Sequence, residues 1–224
     1  MEPDTTAYYD RLALDYAGLI RQLVPRYDEL AAEIVGRLRA GAPERVLDVG
    51  CGPGELTAEV AAALPGAEVI AVEVVPVMAE RARRRLAPFG RRVAVLLGDA
   101  AELVLAPPAG AAWSNLVLHN LGGAEKRRAL RAVRAALHPG APFLWGDLVR
   151  HPDPEREAVA VEYRRRFALE HGCPAGLVEW NFRKEGGRDH PLSAEGMEEA
   201  ARAAGFDTAA TVWTHDGFAL VVAR

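Results

Sequence analysis

The chain has 224 residues, half of them apolar, with 27 Lys and Arg against 31 Asp and Glu for a net charge of −4. That length can bury one sizeable core, and the mild acidity provides no global attraction for nucleic acid or an anionic membrane. Only Cys51 and Cys173 occur, far apart, which excludes both a disulfide framework and a metal-ligand array of recognisable spacing.

The first forty residues open with acids where a secretory leader would be basic, and no apolar run reaches membrane-spanning length, so a cytoplasmic protein is expected. Residues 1–40 are expected to form a helical cover, in which 27–41 place apolar residues at helical spacing and end in Gly41. From Arg45 the chain alternates β-like runs (45–49, 68–73, 92–97, 111–114, 142–148) with helical stretches (55–64, 76–86, 123–137). Such alternation predicts an α/β fold, a parallel sheet with helices on both faces. The segment 152–185, helical, charged and aromatic, interrupts the alternation after the fifth strand and marks 151–190 as a lid. A helix over 193–206, capped by Ser193 and stopped by Gly205, precedes two strands joined near Asp216-Gly217, a hairpin signal. One domain spanning 1–224 is expected.

The stretch Arg45 to Thr57, RVLDVGCGPGELT, ends a strand in Asp48 and turns through Gly50, Cys51, Gly52, Pro53 and Gly54 into a helix. Glycines bare the backbone N–H groups so that a ligand can approach the main chain. A pyrophosphate calls for G-x-G-x-x-G. The spacing G-x-G-x-G implies a smaller, less anionic ligand. Glu73 ends the second strand, where an acid of this topology accepts from ribose hydroxyls. Asp99 follows the third strand, placed to accept from an adenine amino group while the Ala100 amide faces the ring. These elements describe a pocket for an adenosine bearing an amino-acid tail, with Val74 and Met78 beyond Glu73 completing the candidate set. Cys51 fits as a small residue between glycines or, alternatively, as a nucleophile.

In this order, VLDVGCGPG, Glu73, GDAAEL (98–103), SNLVLHNL (114–121), LHPGAPFLWGDL (137–148) and a terminal hairpin after AAGF resemble the class I S-adenosylmethionine-dependent methyltransferases over residues 40–224. The resemblance implies a Rossmann-like seven-stranded sheet, order 3-2-1-4-5-7-6 with the last strand antiparallel, binding S-adenosylmethionine and releasing S-adenosylhomocysteine. LIRQLVPRYDEL (19–30) and SNLVLHNL are also similar to the branch containing the carboxy-S-adenosylmethionine enzymes that modify the tRNA wobble uridine. There, residues matching Tyr27 and Asn115 contact the cofactor, and Arg183 is the nearest match for an arginine reading the extra carboxylate. The fourth strand departs from the family in lacking its usual acid.

A sulfonium methyl is already activated, so such an enzyme mainly aligns the reactants and excludes water. Where the acceptor proton must leave, a general base helps, and His119, just past the fourth strand, suits that role. It could instead line the pocket or cap the next helix. Asp147, ending the fifth strand, could orient substrate or accept backbone N–H groups. Trp145 on that strand and Tyr163, Trp180 and Arg183 in the lid are candidate substrate-pocket residues, with ordinary lid-to-core packing as the alternative. The arginine-rich runs 81–85, 126–128 and 164–166 could follow an RNA backbone or form solvated helix faces. A small-molecule acceptor is the first expectation, tRNA the second, a catalytically silent binding protein the third.

Overall fold

A computed structural model describes residues 16–224. Helices α1 (Tyr16–Leu23) and α2 (Tyr27–Gly41) lead into β1 (Arg45–Val49), α3 (Glu55–Ala63), β2 (Glu68–Glu73), α4 (Pro76–Leu86), β3 (Val93–Leu97), β4 (Ala111–Asn115), α5 (Gly123–Ala135) and β5 (Phe143–Leu148). Helices α6 (Pro154–Glu170), α7 (Ala175–Gly187) and α8 (Ala194–Ala203) follow, then β6 (Ala209–His215) and β7 (Phe218–Ala223). The seven strands form one sheet in the order β3-β2-β1-β4-β5-β7-β6, as expected. Strands β1 to β5 are parallel, and β7 runs antiparallel between β5 and β6.

Alternation along each strand sorts side chains into two cores. Val46, Val69, Trp113 and Leu144 pack with α2 and α3, while Leu47, Val49, Ile70, Phe143 and Trp145 pack with α5 and α8. Covering both faces explains why β1, β2 and β5 are near-continuous apolar runs.

Element ends differ from the sequence expectation by at most three residues, with one larger exception. Residues 152–185 are two helices, because Gly172 takes a left-handed φ of 82° and Pro174 cannot donate to a helical ladder. The β6–β7 turn has positive φ at Asp216 (31°) and Gly217 (93°), as a two-residue hairpin requires. Ser193 caps α8, its Oγ accepting from Gly196 N at 3.0 Å. Among the described residues, no helix is long and apolar enough to cross a membrane.

Candidate active site

Five parallel strands end on one edge of the sheet, the carboxyl edge where ligands of open α/β sheets bind. There β1 passes into its glycine turn with φ of 80° at Gly50, 55° at Gly52 and 83° at Gly54. The N–H groups of Gly50 and Cys51 both donate to Val72 O, at 2.8 and 3.0 Å, tying the turn to β2. Two of the glycines are packing requirements. A Cβ at Gly50 would come within 2.5 Å of Val117, and one at Gly54 within 3.2 Å of the Ala82 backbone. At Gly52 a Cβ would meet nothing within 4 Å, so this glycine faces open space.

Asp48 lies beneath this turn, not on its open side. Its Oδ2 accepts from Thr57 Oγ1 at 2.6 Å in the first turn of α3, and it is 3% exposed. Burial pushes its carboxyl up to about 8, partly offset by Thr57 and reinforced by Glu73. The folded protein thus holds this proton more tightly than the unfolded chain, whose carboxyl has the ordinary 3.8. Its contribution to stability is present at low pH and is lost as pH rises from about 4 through 8. Asp48→Asn keeps the acceptor for Thr57 and removes the titration. Denaturant melts across pH should show a shallower fall for the variant, and parallel pH profiles would refute the assignment. A residual slope is expected, because burial also raises Glu73 and Glu185.

Glu73 faces the same turn. Its Oε2 accepts from Gly52 N at 2.8 Å and its Oε1 from Val75 N at 2.9 Å. Asp99 is exposed, its Oδ1 accepting from Ala101 N at 2.8 Å to start a 3₁₀ turn at Ala100. At the end of β4, Asn115 Oδ1 is buried without a hydrogen-bond partner among the described residues. Val74 is exposed at the rim. Met78 is buried under Tyr16, Leu19, Leu177 and Trp180, so α1 and α7 meet over the start of α4. Tyr27 is a core residue, its ring beneath the Arg21 guanidinium at 5.4 Å. Burial pushes the Cys51 thiol well above its ordinary range, which argues against a nucleophile.

Past β4, the 3₁₀ turn Leu118–Asn120 carries His119 against the end of β5. Asp147 is 1% exposed and accepts four donors: His119 N (3.0 Å) and Trp145 Nε1 (2.8 Å) at Oδ2, His119 Nδ1 (2.5 Å) and Leu148 N (2.9 Å) at Oδ1. In the neutral imidazole, an acceptor facing Nδ1 places the proton there and leaves Nε2 with a lone pair. Asn120 corroborates this, because its Nδ2, a donor only, lies 3.2 Å from Nε2. His119 and Asn120 border a cavity of about 110 Å³ with apolar walls from Ile20, Leu23, Leu148 and Phe182. Its polar residues include Lys184 and Glu185 of α7 and Arg164 of α6.

None of the four residues expected in a substrate pocket borders this cavity. Trp145 is 1% exposed in the core because its side chain falls on the α5/α8 face of β5. Tyr163 lines a separate groove between α6 and the β6–β7 turn. Trp180 packs on Met78, and Arg183 is exposed, its position on α7 lying off the face that carries Asn181, Lys184 and Glu185. That face has the i, i+3, i+4 spacing of one helical stripe, the signal that could have found it.

A twisted parallel sheet with an antiparallel seventh strand, a bare glycine turn and acids at the next two strand ends defines an α/β protein built around a nucleoside ligand. Residues 46–140 match the family described as a methyltransferase domain. The demethylmenaquinone methyltransferase of Thermus thermophilus is 30% identical over 177 residues, covering 73% of this chain and 78% of that protein. The trans-aconitate 2-methyltransferase of Methylobacterium radiotolerans is 48% identical over 71 residues, only 32% of this chain and 26% of the relative. An O-methyltransferase family structure from Burkholderia thailandensis superposes with a TM-score of 0.68 at 17% identity, spanning 97% of this chain and 58% of that one. The chain belongs to the S-adenosylmethionine-dependent methyltransferase family.

Proposed function

We propose that this enzyme methylates a small-molecule acceptor held in the cavity beside His119, which removes the acceptor proton. The observation carrying this reading is the His119–Asp147 pair, with the imidazole on the wall of a cavity lined by both apolar and charged side chains. The two curated relatives named above are also named for small-molecule acceptors.

The residues present fit the cofactor. Open space at Gly52 admits it to the backbone, and the unpartnered Asn115 Oδ1 offers an acceptor for its α-ammonium group. Glu73 would take the ribose hydroxyls, Asp99 and the Ala100 amide the adenine edge, with Val74 and Met78 beside the ring. Asp48, Cys51, Gly50 and Gly54 shape the turn, and Tyr27 anchors α2 behind it. Bound there, S-adenosylmethionine supplies a methyl group activated by its sulfonium. The protein's own work is to orient the acceptor, exclude water beneath α1 and the α6–α7 lid, and receive the proton at Nε2. Glu73→Ala should weaken cofactor binding by about 1–3 kcal/mol through lost charge-assisted hydrogen bonds, as read by calorimetry. Unchanged affinity removes the ribose role.

For a tRNA acceptor the basic runs offer little support. Lys126 and Arg164 are buried, while Arg84, Arg85, Arg165 and Arg166 each lie beside a glutamate. Likewise Arg183, the match for a carboxylate reader, is exposed on α7. The deciding experiment incubates the enzyme with methyl-deuterated cofactor and cell extract. Deuterium should appear in an extractable small molecule. Label confined to tRNA, or no demethylated cofactor, overturns the proposal.

A further inference from the structure

Asn115 closes β4 directly opposite Gly146 of β5, its partner in the strand register. Asn115 Oδ1 is buried without a hydrogen-bond partner among the described residues. A Cβ added at Gly146 would lie 2.9 Å from that oxygen, 3.2 Å from Leu30 Cδ1 and 3.3 Å from Ile34 Cδ1. The first separation is closer than carbon and oxygen pack, and the two α2 side chains leave the added carbon nowhere to retreat. Leu30 and Ile34 are fixed in the core at 0% exposure, whereas Asn115 is half-buried, so the carboxamide is the group that would rotate away.

Backbone conformation does not call for glycine at 146, because φ is positive at Gly50, Gly52 and Gly54 but not there. Glycine also weakens a strand interior and contributes no packing, so β5 itself gains nothing from it. What it provides is room for Asn115. The same turn is fitted from its other side, since β4 lies between β1 and β5 and Val117 fills the volume a Cβ at Gly50 would need. Between the two contacts Leu116 takes a φ of 59°, a left-handed conformation that leucine keeps only where its surroundings hold it. Its N–H donates to Gly146 O at 2.8 Å, and its side chain lines the cavity beside His119. Residues 115–117 are thus held between a glycine at the end of β1 and a glycine within β5, and the turn that carries His119 follows at once.

We infer that Gly146 is a positioning residue of the cofactor site, its missing side chain forming the seat from which the Asn115 carboxamide meets the α-ammonium group of S-adenosylmethionine. This deepens the proposed function and rests on Asn115 as the acceptor for that group. A methyl group at 146 would turn the carboxamide out of its seat and leave the ammonium desolvated without its acceptor, a loss that falls on affinity.

The test titrates S-adenosylhomocysteine into the full chain by calorimetry and follows denaturant unfolding of the same samples. Gly146→Ala and Asn115→Ala should each weaken binding about tenfold or more. The double variant should bind within about threefold of Asn115→Ala, because the added methyl then has no carboxamide to displace. It should also resist denaturant better than Gly146→Ala alone. Ile34→Val clears the α2 side of the methyl without touching Asn115. Combined with Gly146→Ala it should restore stability yet leave binding weak, a result that a purely structural role would not give, and this pair carries the test if Gly146→Ala does not fold. Parent-like affinity in folded Gly146→Ala, or in the pair with Ile34→Val, overturns the seat while Asn115 keeps its role. Parent-like affinity in Asn115→Ala removes the ammonium reading itself, and the seat with it.

Discussion

Alanine in place of His119 should lower kcat for methyl transfer by about 10²–10⁴-fold while leaving cofactor affinity unchanged, because a positioned base contributes on that order and His119 lies outside the glycine turn. Asp147→Asn should lose much of the same rate. The asparagine would present an amide whose donor can face Nδ1, favouring the tautomer with its proton on Nε2, where no acceptor proton can be received. The two variants should not be additive, since they disable one unit. A steady-state comparison with the acceptor identified from extract decides the matter: a His119→Ala enzyme within threefold of the parent leaves alignment alone to explain catalysis.

Arg164→Ala should destabilise the protein by about 3–5 kcal/mol, which denaturant unfolding would measure. The Arg164 side chain is 2% exposed and bonded to Glu185, with Asp216 O accepting from Nη1 at 3.3 Å. Removing the guanidinium leaves Glu185 buried without its main partner. Burial already raises that carboxyl, and Arg164 pulls it back down. Converting both partners to apolar residues, Arg164→Met with Glu185→Leu, should recover most of the loss, because no unpaired charge remains. If the single substitution costs under 1 kcal/mol, the pair is not holding the lid.

Much of the architecture is legible in the residues because both signals behind it are local. Apolar runs alternating with 3.6-residue periodicity give the βα order, and Asp216-Gly217 announces a turn that only positive φ can make. The glycine turn and the acids at 73 and 99 can likewise be read from spacing. The split at Gly172 to Pro174 was visible in residue types, yet helical spacing on both sides masks it. The cavity beside His119 is harder to read, because its wall is assembled from α1, the turn after β4, β5, α6, α7 and β7, with Tyr16 and Phe218 separated by 202 residues. Trp145 illustrates the difficulty. A large aromatic on the fifth strand looks like a pocket residue until strand register assigns its face, whereas Lys184 and Glu185 read as an ordinary charged helix end until their partners at 120, 189 and 164 are known.

The β6–β7 turn bears on how far such enzymes can be treated as interchangeable parts. Any side chain at Gly217 would occupy the volume now filled by the Arg164 guanidinium, with Nη1 only 1.8 Å from the position a Cβ would take. Lid and hairpin are therefore matched as a lock is to its key, although 52 residues separate Arg164 from Asp216. A graft of residues 151–190 alone would bring Arg164 without the hairpin turn shaped to receive it. The recipient scaffold must also supply a glycine at the hairpin turn, or the graft must carry a smaller residue at 164.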